Sequence, residues 1–559
     1  SFDSLLREKI LYCALENVDL ATAHYYRVKC FVDALVIYAR TFAKLLYKSE
    51  TSEILYFRKR GVGFSKSFYA PFDAQKTVLC ALVSLLASHR GIRFSVSEVP
   101  VYPKKQAGQV FSAENAKDKL KKFHVRSALR VIKYEKWKAL FLKKKEVEPI
   151  NILSLHAGTM GNDELMKDVI SSGGKVFLKE GRRILSINDL FERDSLDMGD
   201  LGCQDESMNV REALKEVLDD FMQDRALAGW INDKCGVDVS DIIKPYFEDL
   251  ILNVIFENLM ELPVLKEFLA REEIDFVVSR SSSEKESVSS LLAAADGGKR
   301  VCMQHACGAY ECKHDHITDL AFFDYYFAMH GDAEDQAKSI CANSSYIAGC
   351  EIHQAPWQML NLFGRYRNNE RDPSLVLYIP SKLFLGFRCF NGMRYSVEWY
   401  YKFQKFLIDF FVSRKNFKFI FKHATGQLWA ENSILRYIRE KHCRNIYIET
   451  RPLSECLGKA GRAFTDYPST SFYEAVASGI PVMSLYPREL KIMPQSEKLF
   501  GRSLREFKDI RGAISAVDEF LSADPSAYMV DIPMRETDVV EVLREIKTGR
   551  MSMASENLV

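Results

Sequence analysis

The side chains of this chain that are able to do chemistry gather where a predicted strand meets a predicted helix. The clearest case is residues 464–484, FTDYPSTSFYEAVASGIPVMS. An apolar strand run ends at Asp466 or Tyr467, Pro468 pre-sets the backbone, and Ser469, Thr470 and Ser471 open a helix. Hydroxyls and free backbone N–H groups then share a positive helix end, a ready site for phosphate. Glu474 lies one turn further in. A carboxylate there can accept hydrogen bonds from the two hydroxyls of a ribose, as acidic residues do in dinucleotide folds. Gly479 closes the helix and Pro481 starts the next strand. The spacing equally suits a capping box, with Ser471 as N-cap and Glu474 three residues on. A Ser-Thr-Ser run can serve both purposes.

Four further stretches place polar groups at strand ends. In FKFIFKHATG, residues 417–426, Lys422 and His423 can neutralise a departing diphosphate or monophosphate, or simply cap a surface loop. In the run from Val301 to Met329, a strand ends at Gln304-His305, with Gly308 and Tyr310 beyond it. His305 can act as a general base or bind a leaving phosphate; a satisfied structural histidine is the other reading. SLHAGTMGND, residues 154–163, brings His156 and Asp163 to a Gly-containing loop. VSRSSSEKES puts Arg280 at another strand end, where its forked donors suit a carboxylate on a sugar or acceptor. Cys302, Cys307 and Cys312 near His305, His314 and His316 invite a zinc reading, but the spacing is loose and buried thiols explain it as well.

The first stretch resembles the donor-site helix of GT-B glycosyltransferases. Their pattern is a hydroxyl-rich loop, then Glu-Ala, then Gly-hydrophobic-Pro-Val; here it reads Ser-Thr-Ser-Phe-Tyr-Glu-Ala-Val-Ala-Ser-Gly-Ile-Pro-Val. The resemblance implies that Glu474 holds the ribose and that Ser469, Thr470 and Ser471 hold the phosphates of a nucleotide-sugar donor. Nucleotide-sugar 2-epimerases share the fold and a related helix. Residues 417–426 resemble the His-Pro element of bacterial sialyl- and Kdo-transferases, which use cytidine-monophosphate sugars; Ala424 stands where they have Pro. Residues 301–329 resemble the Gln-His-Gly-Gly-x-Tyr stretch of capsule and polyol-phosphate transferases, with Ala306 and Cys307 in place of the two glycines. That resemblance makes Tyr310 an acceptor-side or sugar-binding residue. It also implies that His305, His156 or Asp163 removes the acceptor proton. No cofactor and no metal is called for, and no Asp-x-Asp motif stands at a strand end.

The elements that must position these residues follow from periodicity. From Ile150 onward strands alternate with helices, which implies parallel strands and right-handed crossovers. The expected fold is α/β, two Rossmann-like domains facing a cleft, with an N-terminal helical elaboration. The expected division is a helix-rich region over 1–149, an acceptor domain over 150–367, a donor domain over 368–525, and a C-terminal crossing helix and tail over 526–559. Residues 368–374 read as the connection, and residues 209–270 as helix broken near Pro245 and Pro263.

A chain of 559 residues is too long for one core. Its net charge of +2 excludes a global field for nucleic acid, and no RNA module accompanies any basic patch. The charge is segregated. Residues 104–148 carry fourteen Lys or Arg against five acids, and residues 189–224 carry twelve acids against three basic side chains. The stretch from Lys117 to Lys145 interleaves its lysines with Phe123, Trp137, Leu140 and Phe141, which suits an anionic membrane surface. A helix packed on one face and solvated on the other fits the same pattern. Thirteen unframed cysteines point to reduced thiols and a cytoplasmic setting. No leader and no membrane span is expected. The reading is a glycosyltransferase that moves a sugar from a nucleotide-sugar donor to a bacterial surface glycan or lipid-linked acceptor. An epimerase on the same fold and a non-catalytic glycan- or nucleotide-binding relative are the alternatives.

Overall fold

The computed structural model describes residues 20–48, 52–59, 77–99, 148–155, 160–180, 183–187, 195–197, 204–223, 225–280, 285–295, 297–304, 319–329, 331–343, 349–355, 364, 366–367, 369–381, 397–423, 433–530 and 538–549. Three sheets are present among them. A small parallel pair, β1 (Glu53–Lys59) and β2 (Arg93–Val99), is joined through the helix Thr77–His89. The first large sheet contains β3 (Ile152–Ser154), β4 (Val176–Glu180), β5 (Arg183–Ser186), β6 (Ser195–Asp197), β7 (Phe276–Ser279), β8 (Lys299–Met303), β9 (Tyr325–Ala328) and β10 (Glu351–Gln354). Its order is β10-β9-β8-β7-β3-β4-β5-β6. The second contains β11 (Asp372–Ile379), β12 (Lys418–Lys422), β13 (Ile446–Glu449), β14 (Ala460–Thr465), β15 (Val482–Pro487) and β16 (Leu504–Phe507). Its order is β13-β12-β11-β14-β15-β16, parallel throughout.

Both sheets are doubly wound: the fold is α/β with two Rossmann-like domains. One face of the first sheet is covered by the helices Leu20–Lys48, Thr77–His89, Gln204–Gln223, Arg225–Cys235, Phe256–Arg271 and Lys285–Ala294. Its other face is covered by Met160–Ser171 and by Val539–Lys547. The strands of a sheet buried on both faces must be apolar nearly throughout, and β3 and β7 are. The N-terminal helix thus extends the first core rather than forming one of its own. In the second sheet, Thr470–Ala477 and Pro494–Phe500 cover one face, and Val397–Ser413, Ser433–Glu440 and Ile510–Ser522 the other.

The run Ser240–Arg271 does not break at its prolines. Pro245 lies inside Ser240–Asp249 and Pro263 inside Phe256–Arg271, with a six-residue π-helical segment, Leu250–Ile255, between them. Each proline removes one N–H donor, but the buried row Ile242, Phe247, Ile251, Leu262 and Leu265 keeps the helix on the core. The break falls instead at Gly236–Val239. Strand β11 begins at Asp372, inside the stretch read as a connection, because Gly461 of β14 lets its backbone approach. A Cβ at Gly461 would lie 2.5 Å from the Asp372 carbonyl oxygen. The first sheet also carries an antiparallel edge, β5 and β6, that the alternation did not reveal. Among the described residues, no helix is long and apolar enough to cross a membrane.

Candidate functional site

In each large sheet the strand order reverses once, between β3 and β7 in the first and between β11 and β14 in the second. Open parallel sheets bind ligands at the carboxyl ends of their strands at such a reversal. In the second sheet the paired register carries Lys422 of β12 alongside Glu449, and Thr465 of β14 alongside Ile379 and Ser484. The stretch beginning at Asp466 therefore leaves the sheet at its reversal point.

Asp466 is the hub of that end. It is 1% exposed, and it accepts hydrogen bonds from the Tyr378 hydroxyl at 2.8 Å, the Ser381 N–H at 2.5 Å and the Gln404 amide at 3.3 Å. Gln404 also donates to the Ser381 carbonyl at 2.9 Å. Burial raises the Asp466 pKa while these donors pull it back down. One carboxyl group thus ties together the loops after β11 and β14 and the helix Val397–Ser413. Sequence reasoning read Asp466 only as a strand end; its sole signal was a carboxylate directly after an apolar run.

The helix that follows begins at Thr470. Ser469 is its N-cap, in extended backbone, and its side chain makes no capping hydrogen bond. The Ser471–Glu474 capping box is therefore not formed, since Glu474 is the fifth helical residue rather than the third. The Phe472 N–H donates to the Ser469 carbonyl at 2.9 Å, which closes the turn. Among the described residues no side chain caps the N-terminal end of the helix, where Ser469, Thr470 and Ser471 stand half-buried. Its other end is clamped. Arg371 donates to the carbonyls of Ser478 at 2.6 Å, Gly479 at 2.7 Å and Tyr366 at 2.7 Å, and Arg367 donates to Ala477 at 3.3 Å. Gly479 adopts φ +67°, and a Cβ there would meet the Arg367 side chain at 2.9 Å.

Glu474 is 8% exposed and has no hydrogen-bond or ion-pair partner among the described residues. Burial alone pushes its pKa up to about 8. A buried carboxyl without donors is costly, and natural structures normally satisfy it. At the end of β12, two strands over, Lys422 is buried, its ammonium donates to the His423 carbonyl at 2.8 Å, and burial lowers its pKa. One strand separates it from Thr465, roughly 10 Å. His423 follows directly, and its N–H donates to the Glu449 carbonyl at 2.9 Å.

The first sheet places the remaining candidates. Arg280 follows β7 at that sheet's own reversal point and is half-buried. Asp163 lies in the helix Met160–Ser171. His156, His305 and Tyr310 lie outside the described residues, as do Cys307, Cys312, His314 and His316. Cys302 is a buried thiol, and no group of three or more His, Cys, Asp or Glu side chains that could hold a metal occurs among the described residues. The two domains meet where Ser496 donates to Asp332 at 3.1 Å and where Met329 joins the hydrophobic core of the second domain.

No family model and no curated protein matches the chain. Among solved structures, it is similar to an S. aureus MnaA–UDP co-structure at 10% identity, covering 72% of this chain and 97% of that one, TM-score 0.42. It is similar to a UDP-GlcNAc 2-epimerase from Neisseria meningitidis bound to UDP-GlcNAc at 10% identity, covering 72% and 100%, TM-score 0.40. A glycosyltransferase from Rickettsia africae aligns at 12% identity over 72% and 94%, TM-score 0.36.

Proposed function

We propose that this chain is a nucleotide-sugar-dependent glycosyltransferase of the GT-B type, with its donor held at the reversal point of the second sheet. The carrying observation is the pairing of an uncapped helix end at Ser469–Ser471 with the partnerless buried carboxyl of Glu474 in the same helix. The helix end offers N–H groups and hydroxyls to a phosphate. Glu474 lacks donors among the described residues, and two ribose hydroxyls would supply them.

In this reading, Ser469, Thr470 and Ser471 take the donor phosphate and Glu474 the ribose. Lys422 and His423 offset the charge that develops on the leaving phosphate as the bond from the sugar's anomeric carbon breaks. The new bond forms to an acceptor hydroxyl, whose proton goes to a first-domain base among His305, His156 and Asp163. Arg280 and Tyr310 contact the sugar or acceptor. The donor is a nucleotide sugar, with a CMP-activated acidic sugar as the specific expectation. The acceptor is a bacterial surface glycan or a lipid-linked primer, met at the inner face of the cytoplasmic membrane.

Titration calorimetry with CMP, UDP and GDP, and with their sugar conjugates, tests this reading. One nucleotide should bind the wild type, and Glu474→Gln should weaken it at least tenfold. Undiminished affinity in that variant would show that the nucleotide lies elsewhere. Incubation of the labelled sugar nucleotide without acceptor separates the reactions. Conversion to an epimer under that condition would replace transfer by epimerisation.

A further inference from the structure

A cavity of about 380 Å³ opens far from this site in the sequence, between the helices Leu20–Lys48, Thr77–His89 and Arg225–Cys235. That is the share of liquid volume of about a dozen waters, room for a phosphate and the group that bears it. Its walls carry Arg40, Lys44, His89, Arg90 and Lys234, and Asp233 is the one acid among its described lining residues. Leu46 and Leu86 give it an apolar side.

The charge does not cancel. Lys234 lies 3.5 Å from Asp233, which accounts for that pair. The Arg40 Nε donates to the Lys234 carbonyl at 2.9 Å, leaving its two terminal nitrogens for another acceptor. The Arg90 guanidinium sits 5.2 Å over the Tyr47 ring, a contact that leaves its N–H edge open. Lys44 and His89 have no hydrogen-bond or ion-pair partner among the described residues. Basic side chains at helix carboxyl ends also answer the helix dipole, and three such ends approach the cavity. Each contributes roughly half a negative charge, less than Arg40, Lys44 and Arg90 supply together. The surplus is positive and lines a concavity.

The helix that carries Arg40 and Lys44 adds a second observation. Its Leu45 is 58% exposed and its Tyr47 76% exposed. Large apolar side chains projecting into water beside cations suit the boundary between lipid headgroups and acyl chains.

We propose that this cavity is a second ligand site, taking a phosphate group carried by an anionic lipid headgroup or by a small soluble phosphate ester. It is independent of the nucleotide reading. The test uses the full chain with two probes. Co-sedimentation with phosphatidylcholine vesicles, with and without phosphatidylglycerol, reads the lipid source. Titration with glycerol 3-phosphate reads the soluble source. Binding to phosphatidylglycerol vesicles but not to pure phosphatidylcholine, or to glycerol 3-phosphate, is the expected result, and it should weaken with added salt. The double variant Lys44→Glu with Arg90→Glu should lower that binding at least tenfold, with nucleotide affinity and circular dichroism unchanged. Lys44→Gln alone, at an exposed position, should lower it about fivefold and keeps the test open if the double variant fails to fold. Absence of binding to both probes overturns the proposal. So does binding that survives the substitutions, which would move the contact to the basic stretch Lys117–Lys145.

Discussion

The loop after β14 and the helix it feeds hold two buried carboxyl groups in opposite circumstances. Asp466 is enclosed by three donors from the loop after β11, from β11 itself and from the helix Val397–Ser413. Glu474, eight residues on, has none among the described residues. The first is scaffold: its donors fix two loops to each other at the sheet's reversal point. The second is an unmet demand for donors, retained at a cost to stability. Satisfied and unsatisfied polar groups therefore divide this end of the domain into what holds and what we propose binds.

That contrast can be broken by substitution. Asp466→Ala leaves the Tyr378 hydroxyl, the Ser381 N–H and the Gln404 amide without an acceptor, and should cost roughly 3–5 kcal/mol by urea denaturation. A loss below about 1 kcal/mol would mean the hub is not structural. Glu474→Gln should do the reverse. The folded carboxyl keeps its proton to about pH 8, whereas a free glutamate titrates near 4.5. Between these limits the folded state binds more protons, so this group's contribution to stability falls as pH rises. The amide removes that penalty, so the variant should gain up to roughly 4 kcal/mol at pH 8 and nothing at pH 4. Equal stabilities at pH 8 would show that Glu474 has donors after all.

A smaller effect belongs to binding. Hydroxyl donors favour the ionised carboxyl, so nucleotide binding should release a proton at pH 7. Affinity should then rise by up to roughly tenfold between pH 7 and pH 8. Calorimetry in buffers of different ionisation enthalpy measures the proton, and a pH-independent affinity would detach Glu474 from the ligand. Arg371→Met removes the clamp at the helix's carboxyl end and should cost about 1–2 kcal/mol. The smallest change is expected from Arg451→Ala. It breaks an exposed ion pair with Glu449 and should alter stability by less than about 1 kcal/mol.

The α/β alternation, the strand β14 and the helix bearing Ser471 and Glu474 were legible because periodicity and Gly-Pro punctuation are local properties. The polar edge strand β10, EIHQ, was missed because it carries little of the apolar run that marks a buried strand. The short strand β16 escaped for want of length. The prolines at 245 and 263 misled, because burial of an apolar face outweighed one lost donor each. The Asp466 hub joins residues separated by 62 to 88 positions, and residue type names no partner at such distances. The basic cavity was hidden in the same way: Arg40 meets Lys234 across 194 positions.

The helix Val539–Lys547 carries one further consequence, for the order in which the chain acquires its structure during synthesis. Five of its side chains, Val539, Val540, Val542, Leu543 and Ile546, are buried against the first sheet. Lys547 donates to the Pro149 carbonyl across 398 positions. The first-sheet domain cannot close this part of its hydrophobic interior until Val539–Lys547 has left the ribosome, whereas the second domain already holds its described strands by Phe507. In this molecule the half made first is finished second, reversing the usual N-terminal-first order.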